Sequence, residues 1–335
     1  MVLNNAMMTG KILLLFTFIV FQNCELGGSV FLKNDSIDKN IKEQINNLDN
    51  QLFKAIKTNN PDLIRGLMSD SLLKKGGQVI DILLNQVSAS IKLESYKILD
   101  EYYIKNTAKN MFNSIPSGLS AENGYILNLK TPSKEKYVAL LLSNELDNGI
   151  LITTIYGKYD DNWKIDILQI GEYNFLGKGP FDLYDMAKQS YDKGYLMDAA
   201  DFIFLSNACI EPAAAYLQYN NESEIKSFCQ KVIKEMKEKY AFPLTLEQVN
   251  TKPKVFNIYP EVKHGFFPVI QYISSINLKD TAALKIENEK IKKEIGQIFQ
   301  GLDKDKNHIY YQAFNEIPNG TKSVAGYNFI DNKIK

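Results

Sequence analysis

Hydrophobic positions along this chain change their period from segment to segment, and each change marks an expected element. Residues 12–21 form an uncharged, apolar run after Lys11, with Thr17 its one hydroxyl residue, shorter than the roughly 20 residues that span a bilayer. Polarity then returns abruptly at Gln22, Asn23 and Cys24. From 37 to 57 the pattern becomes helical, with Ile37, Ile41, Ile45, Leu48, Leu52 and Ile56 at three- and four-residue spacing. Asn60 and Pro61 open a second helix, as cap and first-turn residue, with Leu63, Ile64, Leu67 and Met68 on its apolar side. Gly76 and Gly77 break the chain, and 79–93 is apolar enough for a third, largely buried helix.

The period then shortens to that of strands. Segments 96–104, 124–130, 137–144, 150–159 and 163–170 are the candidates. Turn residues Asp147, Asn148 and Gly149, then Asp160, Asp161 and Asn162, separate the last three, which should form an antiparallel meander. A glycine-rich junction, 171–180, leads back to helix. Phe181, Tyr184, Ala187 and Tyr191 line one helix, Gly194 breaks it, and Ala199, Ala200, Ile203, Phe204 and Ala208 line the next before Pro212. Asn221 is placed to cap another helix, with Glu224 completing a capping box.

Strands return at 255–259 and 267–276. Asp280 caps a long helix carrying Leu284, Ile291, Ile295 and Ile298, and strands follow near 309–314 and 324–330. The expected fold class is therefore α+β. N-terminal helices pack in a curved antiparallel sheet, followed by a helical hairpin segment and a C-terminal ββαββ domain whose small antiparallel sheet carries one helix. The expected divisions are a leader at 1–23, a tether at 24–35, a first domain at 36–175, a helical segment at 180–240 and a last domain at 241–335.

Three stretches carry resemblances. The positive flank, apolar core and Cys24 resemble a bacterial lipoprotein signal, which implies that Cys24 bears lipid and anchors the chain to a membrane of the cell envelope. Phe21 and Asn23 depart from the residues usual in that pattern, and cleavage within Gly27, Gly28 and Ser29, releasing a secreted protein, is the alternative. Helices followed by a hairpin-rich sheet, closed by 155–165, resemble the nuclear transport factor two-like (cystatin-like) cone. That resemblance implies a pocket, which Tyr102, Tyr103, Tyr156, Tyr159 and Trp163 would line. Tyr184, Tyr191, Ala200, Phe204 and Pro212 resemble one tetratricopeptide unit, with Lys188 and Asn207 departing from it. A single unit cannot bury both its faces, so a helical hairpin packed between domains is expected.

Composition narrows the function classes. Lys plus Arg equals Asp plus Glu at 39 each, interspersed along the chain, which leaves no electrostatic footprint for nucleic acid. Arg65 is the only arginine, so forked recognition of phosphate or carboxylate has few donors. Besides Cys24 there are Cys209 and Cys229, either a disulfide pair or two buried helical thiols.

No sequence motif for metal, nucleotide or acyl-transfer chemistry is found, and no metal or cofactor is expected. His264 and His308 lie in polar, turn-like surroundings, so neither is expected to be a ligand or general base. Asp303 begins a stretch like a calcium loop, but His308 and Phe314 occupy the positions that need Gly and Glu. Residues 310–318 read as a strand ending in Asn315 and Glu316, which should hydrogen-bond their own turn. The leading expectation is a non-catalytic envelope protein that binds a small molecule or protein partner. The alternative is an acid–base enzyme using Asp100, Glu101 or Asp166; a purely structural role is the third.

Overall fold

The computed structural model describes residues 29–76, 95–120, 124–143, 148–320 and 323–332. Cys24, the leader and the expected third helix at 79–93 lie outside them. Mixed helix and strand, in three sheets among the described residues, make it an α+β fold. None of the described helices is long and apolar enough to cross a membrane.

The chain enters through β1 (Val30–Lys33), which pairs antiparallel with β2 (Tyr96–Lys105) at the sheet edge. The tether expected at 24–35 therefore stops short of residue 30. Val30 and Phe31 are exposed apolar residues that polar neighbours disguised, and their backbone groups find partners in β2.

Helix α1 (Lys39–Lys57) starts where the Asp38 carboxylate accepts from the N–H groups of Asn40 and Ile41 at 2.9 and 3.3 Å. Helix α2 (Pro61–Leu67) starts where Asn60 Oδ1 accepts from Leu63 N at 3.1 Å, with Pro61 in the first turn. The apolar stripe Ile45, Leu52, Phe53 and Ile56 packs on one face of the main sheet, against Tyr137, Ala139, Leu141, Ile152, Tyr156 and Trp163.

That sheet has the order β1-β2-β5-β6-β7, with β5 (Glu135–Ser143), β6 (Gly149–Tyr159) and β7 (Asn162–Asn174) forming the expected meander. The β6–β7 turn is possible because Asp160 takes φ +53°, a conformation Asp tolerates better than most residues. Strand β5 is buried on both faces, which is why its pattern is continuously apolar rather than alternating.

The second face is covered by an element the sequence pattern divided wrongly. Strands β3 (Phe112–Pro116) and β4 (Tyr125–Lys130) pair with each other, and β4 pairs with β8 (Leu217–Tyr219). The segment expected to be a separate helical unit at 180–240 thus donates a strand to the first domain. Its helices, α3 (Pro180–Asp192), α4 (Leu196–Cys209) and α5 (Glu222–Lys239), share one apolar core with that sheet and with the C-terminal domain. Helices α3 and α4 form the expected hairpin, turning at Gly194 with φ +76°. Phe204, however, is 62% exposed, not a packing position. The capping box at Asn221 is also absent: Asn221 O accepts from Glu224 N, but the Glu224 carboxylate accepts from Tyr184 Oη at 2.6 Å.

The C-terminal sheet has the order β13-β12-β11-β10-β9. Short β9 (Leu244–Thr245), then β10 (Lys254–Glu261) and β11 (Phe267–Ile273), are antiparallel. Strands β11 and β12 (His308–Phe314) are parallel, and β13 (Gly326–Asn332) closes the edge antiparallel to β12. The sheet is mixed, not antiparallel as expected. Helix α6 (Thr281–Ile298) between β11 and β12 supplies the long crossover that returns the chain to the same end, which makes the pair parallel. Its residues Leu284, Ile291 and Ile295 join the core with Tyr272 and Tyr311.

Candidate functional site

Strand β2 sets the site because its alternation delivers consecutive residues to opposite faces of the main sheet. Tyr103 lies with the α1 core, whereas Tyr102 lies with the core beneath β4 and the helical segment. Tyr156 and Trp163 join Tyr103 on the α1 side, and Tyr159 Oη donates to Asp166 at 2.6 Å. The five aromatic residues therefore do not surround one pocket. Tyr103, Tyr156 and Trp163 fill packing positions, Tyr159 is half-buried against Asp166, and Tyr102 is the one that reaches the site described next.

A register shift between Ile98 and Asp100 in the β2–β5 ladder puts an extra residue, Leu99, into β2. Leu99 and Asp100 then line the same cavity, of about 460 Å³, between the sheet and the helical segment. Its walls come from elements far apart in sequence: Tyr125 on β4, Leu140 and Leu151 on β5 and β6, Tyr173 and Asn174 at the end of β7, Pro180 and Phe181 opening α3, and Leu217 and Tyr219 on β8. Phe181 meets Tyr219 edge-on at 5.5 Å, and Tyr125 meets Tyr219 edge-on at 6.4 Å.

Asp100 is the most heavily engaged carboxylate of the cavity. It accepts from Tyr125 Oη, from Asn34 Nδ2 at 2.9 Å and from Tyr102 Oη at 3.4 Å, and Lys33 Nζ lies 3.0 Å away. Burial alone would raise its pKa, but the hydrogen bonds from Tyr125, Asn34 and Lys33, with the lysine charge, hold it below the ordinary carboxylate value. Burial and the neighbouring hydroxyl and carboxylate push the Tyr125 phenol far up, so it stays a donor.

The other face of the main sheet holds two more carboxylates, Glu101 on β2 and Asp49 on α1. Glu101 accepts from Tyr137 Oη at 2.5 Å and pairs with Lys42 at 2.9 Å. Beside it, fully buried Asp49 on α1 accepts from Tyr156 Oη at 2.7 Å and from Thr154 Oγ1 at 3.4 Å. Burial pushes Asp49 up to about 7 despite those two bonds, and the Glu101 charge adds to the rise. Asp49 does not stand out in the sequence because it lies in a polar helix stretch, where a carboxylate normally faces water. The signal that could have found it is position: Asp49 falls between Ile45 and Leu52 on the apolar stripe.

Lys136 was missed for a similar reason. It is buried at the head of β5, donating to Met111 O and Asn113 Oδ1 at 2.8 Å each, and burial lowers it to about 8 while the Asp166 charge works against that fall.

Cys209 and Cys229 are free thiols. Cys209 packs with Leu183 and Leu205, while Cys229 lies against the larger core, so the two face different clusters. Among the described residues no group of His, Cys, Asp and Glu is placed to hold a metal ion. Lys306, in the expected loop at 303–307, instead clasps Asp198 of α4 at 2.6 Å. His264 is exposed beside Glu261. His308 is a strand residue rather than a turn residue, with Nδ1 at 2.8 Å from Asn332 Oδ1. Asn315 bonds not its own turn but Ser274 O and Ile276 O, at 2.9 and 2.8 Å, beyond the end of β11.

No family model matches the chain, and no curated protein or solved structure matches it significantly.

Proposed function

We propose that this chain is an exported, lipid-anchored envelope protein that holds a small molecule, without transforming it, in the cavity between the main sheet and the helical segment. The observation that carries the binding half is the cavity itself: about 460 Å³ with mainly apolar and aromatic walls and a few fixed polar groups. The export half rests on the apolar run at 12–21 and on Cys24 at its end.

The acid–base reading has less support. A general acid near neutral pH needs a raised pKa, whereas Asp100, the candidate in the cavity, is held low. Glu101 faces α1, where Tyr137 and Lys42 occupy it, and Asp166, which Tyr159 engages through Oδ1, is not among the residues that line the cavity.

Two measurements test the proposal. Mass spectrometry of the mature amino terminus should find Cys24 as the first residue, carrying lipid; an unmodified chain starting at or after Val30 refutes the anchor. Thermal-shift screening of a small-molecule library should find stabilising compounds whose effect disappears in Leu119→Trp, which places an indole at the exposed rim of the cavity. Hits that stabilise the variant equally would move the binding site elsewhere.

A further inference from the structure

We infer that the cavity between the main sheet and the helical segment selects an organic cation with an apolar body, an amine or a quaternary ammonium, over anionic and neutral ligands of the same shape. This rests on the proposed binding role and adds the chemical class. Among the described residues that line the cavity, Asp100 and Asp182 are the charged side chains, and none is Lys, Arg or His. An anion entering would lose its hydration against two carboxylates with no lining cation to repay the loss. A cation would gain from the carboxylates and from the negative faces of the aromatic rings. Tyr125, Tyr173, Phe181 and Tyr219 supply those rings.

The α3 N-terminus also lies at this cavity, and its positive end would favour an anion. The chain has already met that end with its own charge: Asp182 Oδ2 accepts from Gly179 N at 3.0 Å. Asp182 is exposed at the rim, so its second oxygen can face an incoming cation. On the β1 side of Asp100 the protein already practises this recognition on itself. Lys33 Nζ sits 3.0 Å from Asp100 Oδ1 and 5.3 Å from the centre of the Tyr102 ring, an alkylammonium held between a carboxylate and an aromatic face. Lys33 matches much of the Asp100 charge, which leaves Asp182 as the lining carboxylate with no cationic partner among the described residues.

The test compares benzyltrimethylammonium, its uncharged isostere neopentylbenzene and the anion phenylacetate, titrated into the full mature chain by ligand-observed NMR. The cation should bind at least about ten-fold more tightly than the isostere, and phenylacetate should bind more weakly than either. Asp182→Asn keeps an oxygen to accept from Gly179; it should weaken the cation several-fold and leave the isostere unchanged. If the isostere or phenylacetate binds as tightly as the cation, or if Asp182→Asn leaves the cation unaffected, the charge assignment is overturned while the binding reading stands. If none of the three binds saturably, both are overturned.

Discussion

Tyr156 Oη stands 2.7 Å from Asp49 Oδ1, a bond from β6 to α1 that spans 107 positions of sequence. It places an ionisable group under the helix that covers the sheet, and Asp49 Oδ2 meets no hydrogen-bond partner among the described residues. The folded-state pKa of about 7 lies above the unfolded value near 3.8. The folded chain therefore holds this proton more tightly. Its contribution is complete below about pH 4, falls as pH rises and is gone above about 7. The full span amounts to up to about 4 kcal/mol. Asp49→Asn, which cannot ionise, should flatten the dependence of unfolding free energy on pH between 4 and 8 and make the variant more stable than the parent at pH 8. Urea titrations across that range measure it; an unchanged slope would remove Asp49 as its source.

Asp100, on the opposite face of the main sheet from Asp49, carries the opposite sign. Its folded pKa is depressed, so its contribution is present above the unfolded value near 4 and is lost as pH falls through the folded value. Asp100→Ala strands Tyr125, Asn34 and Lys33 at once and should cost about 3 kcal/mol at pH 7. Lys33→Met removes only the partly exposed partner and should cost about 1 kcal/mol or less. Equal costs for the two would show that the carboxylate is not the hub of the network.

Much of the fold was legible because the residues obeyed one period at a time. The α1 stripe, the β5–β7 meander and the α3–α4 hairpin follow directly from spacing and turn residues. Strand β8 was not legible, since Leu217–Tyr219 is three residues long and its pairing with β4 is fixed by tertiary contact. The parallel β11–β12 pair was implied by the length of α6 but not by any residue in either strand. The cavity was the least legible feature. Its walls come from several strands and from the start of α3, and the β2 bulge that turns Leu99 and Asp100 toward it leaves no mark in the sequence.

The thiols should behave differently from each other. Cys209 is buried, and burial raises both thiols above their ordinary pKa. In the native protein Cys229 should react slowly with a disulfide reagent, and Cys209 only on unfolding. Reductant should leave the thermal midpoint unchanged. A reductant-dependent midpoint would mean that the two form a bridge in solution.

Gly171 tests whether the helical segment and the main sheet form one packed body. It lies inside β7, in a stretch the sequence pattern assigned to a linker, and the strand continues to Asn174. A Cβ built at this glycine would press on the backbone of Pro212, reaching its Cα at 3.0 Å and its carbonyl more closely still. Pro212 follows α4, and its backbone has no flexible end to swing aside. Gly171→Ala should therefore cost about 1–3 kcal/mol, the range for overpacking a filled site, and Gly171→Val more. Gly66→Ala, where a Cβ meets nothing within 4 Å, is the control; it should be neutral or slightly stabilising because alanine favours the helix. Chemical denaturation of the three variants against the parent decides the matter. A loss confined to the Gly171 variants, in a single transition, fixes the seam as part of the cooperative core, whereas a neutral Gly171→Ala would show that the segment moves away from β7 at little cost.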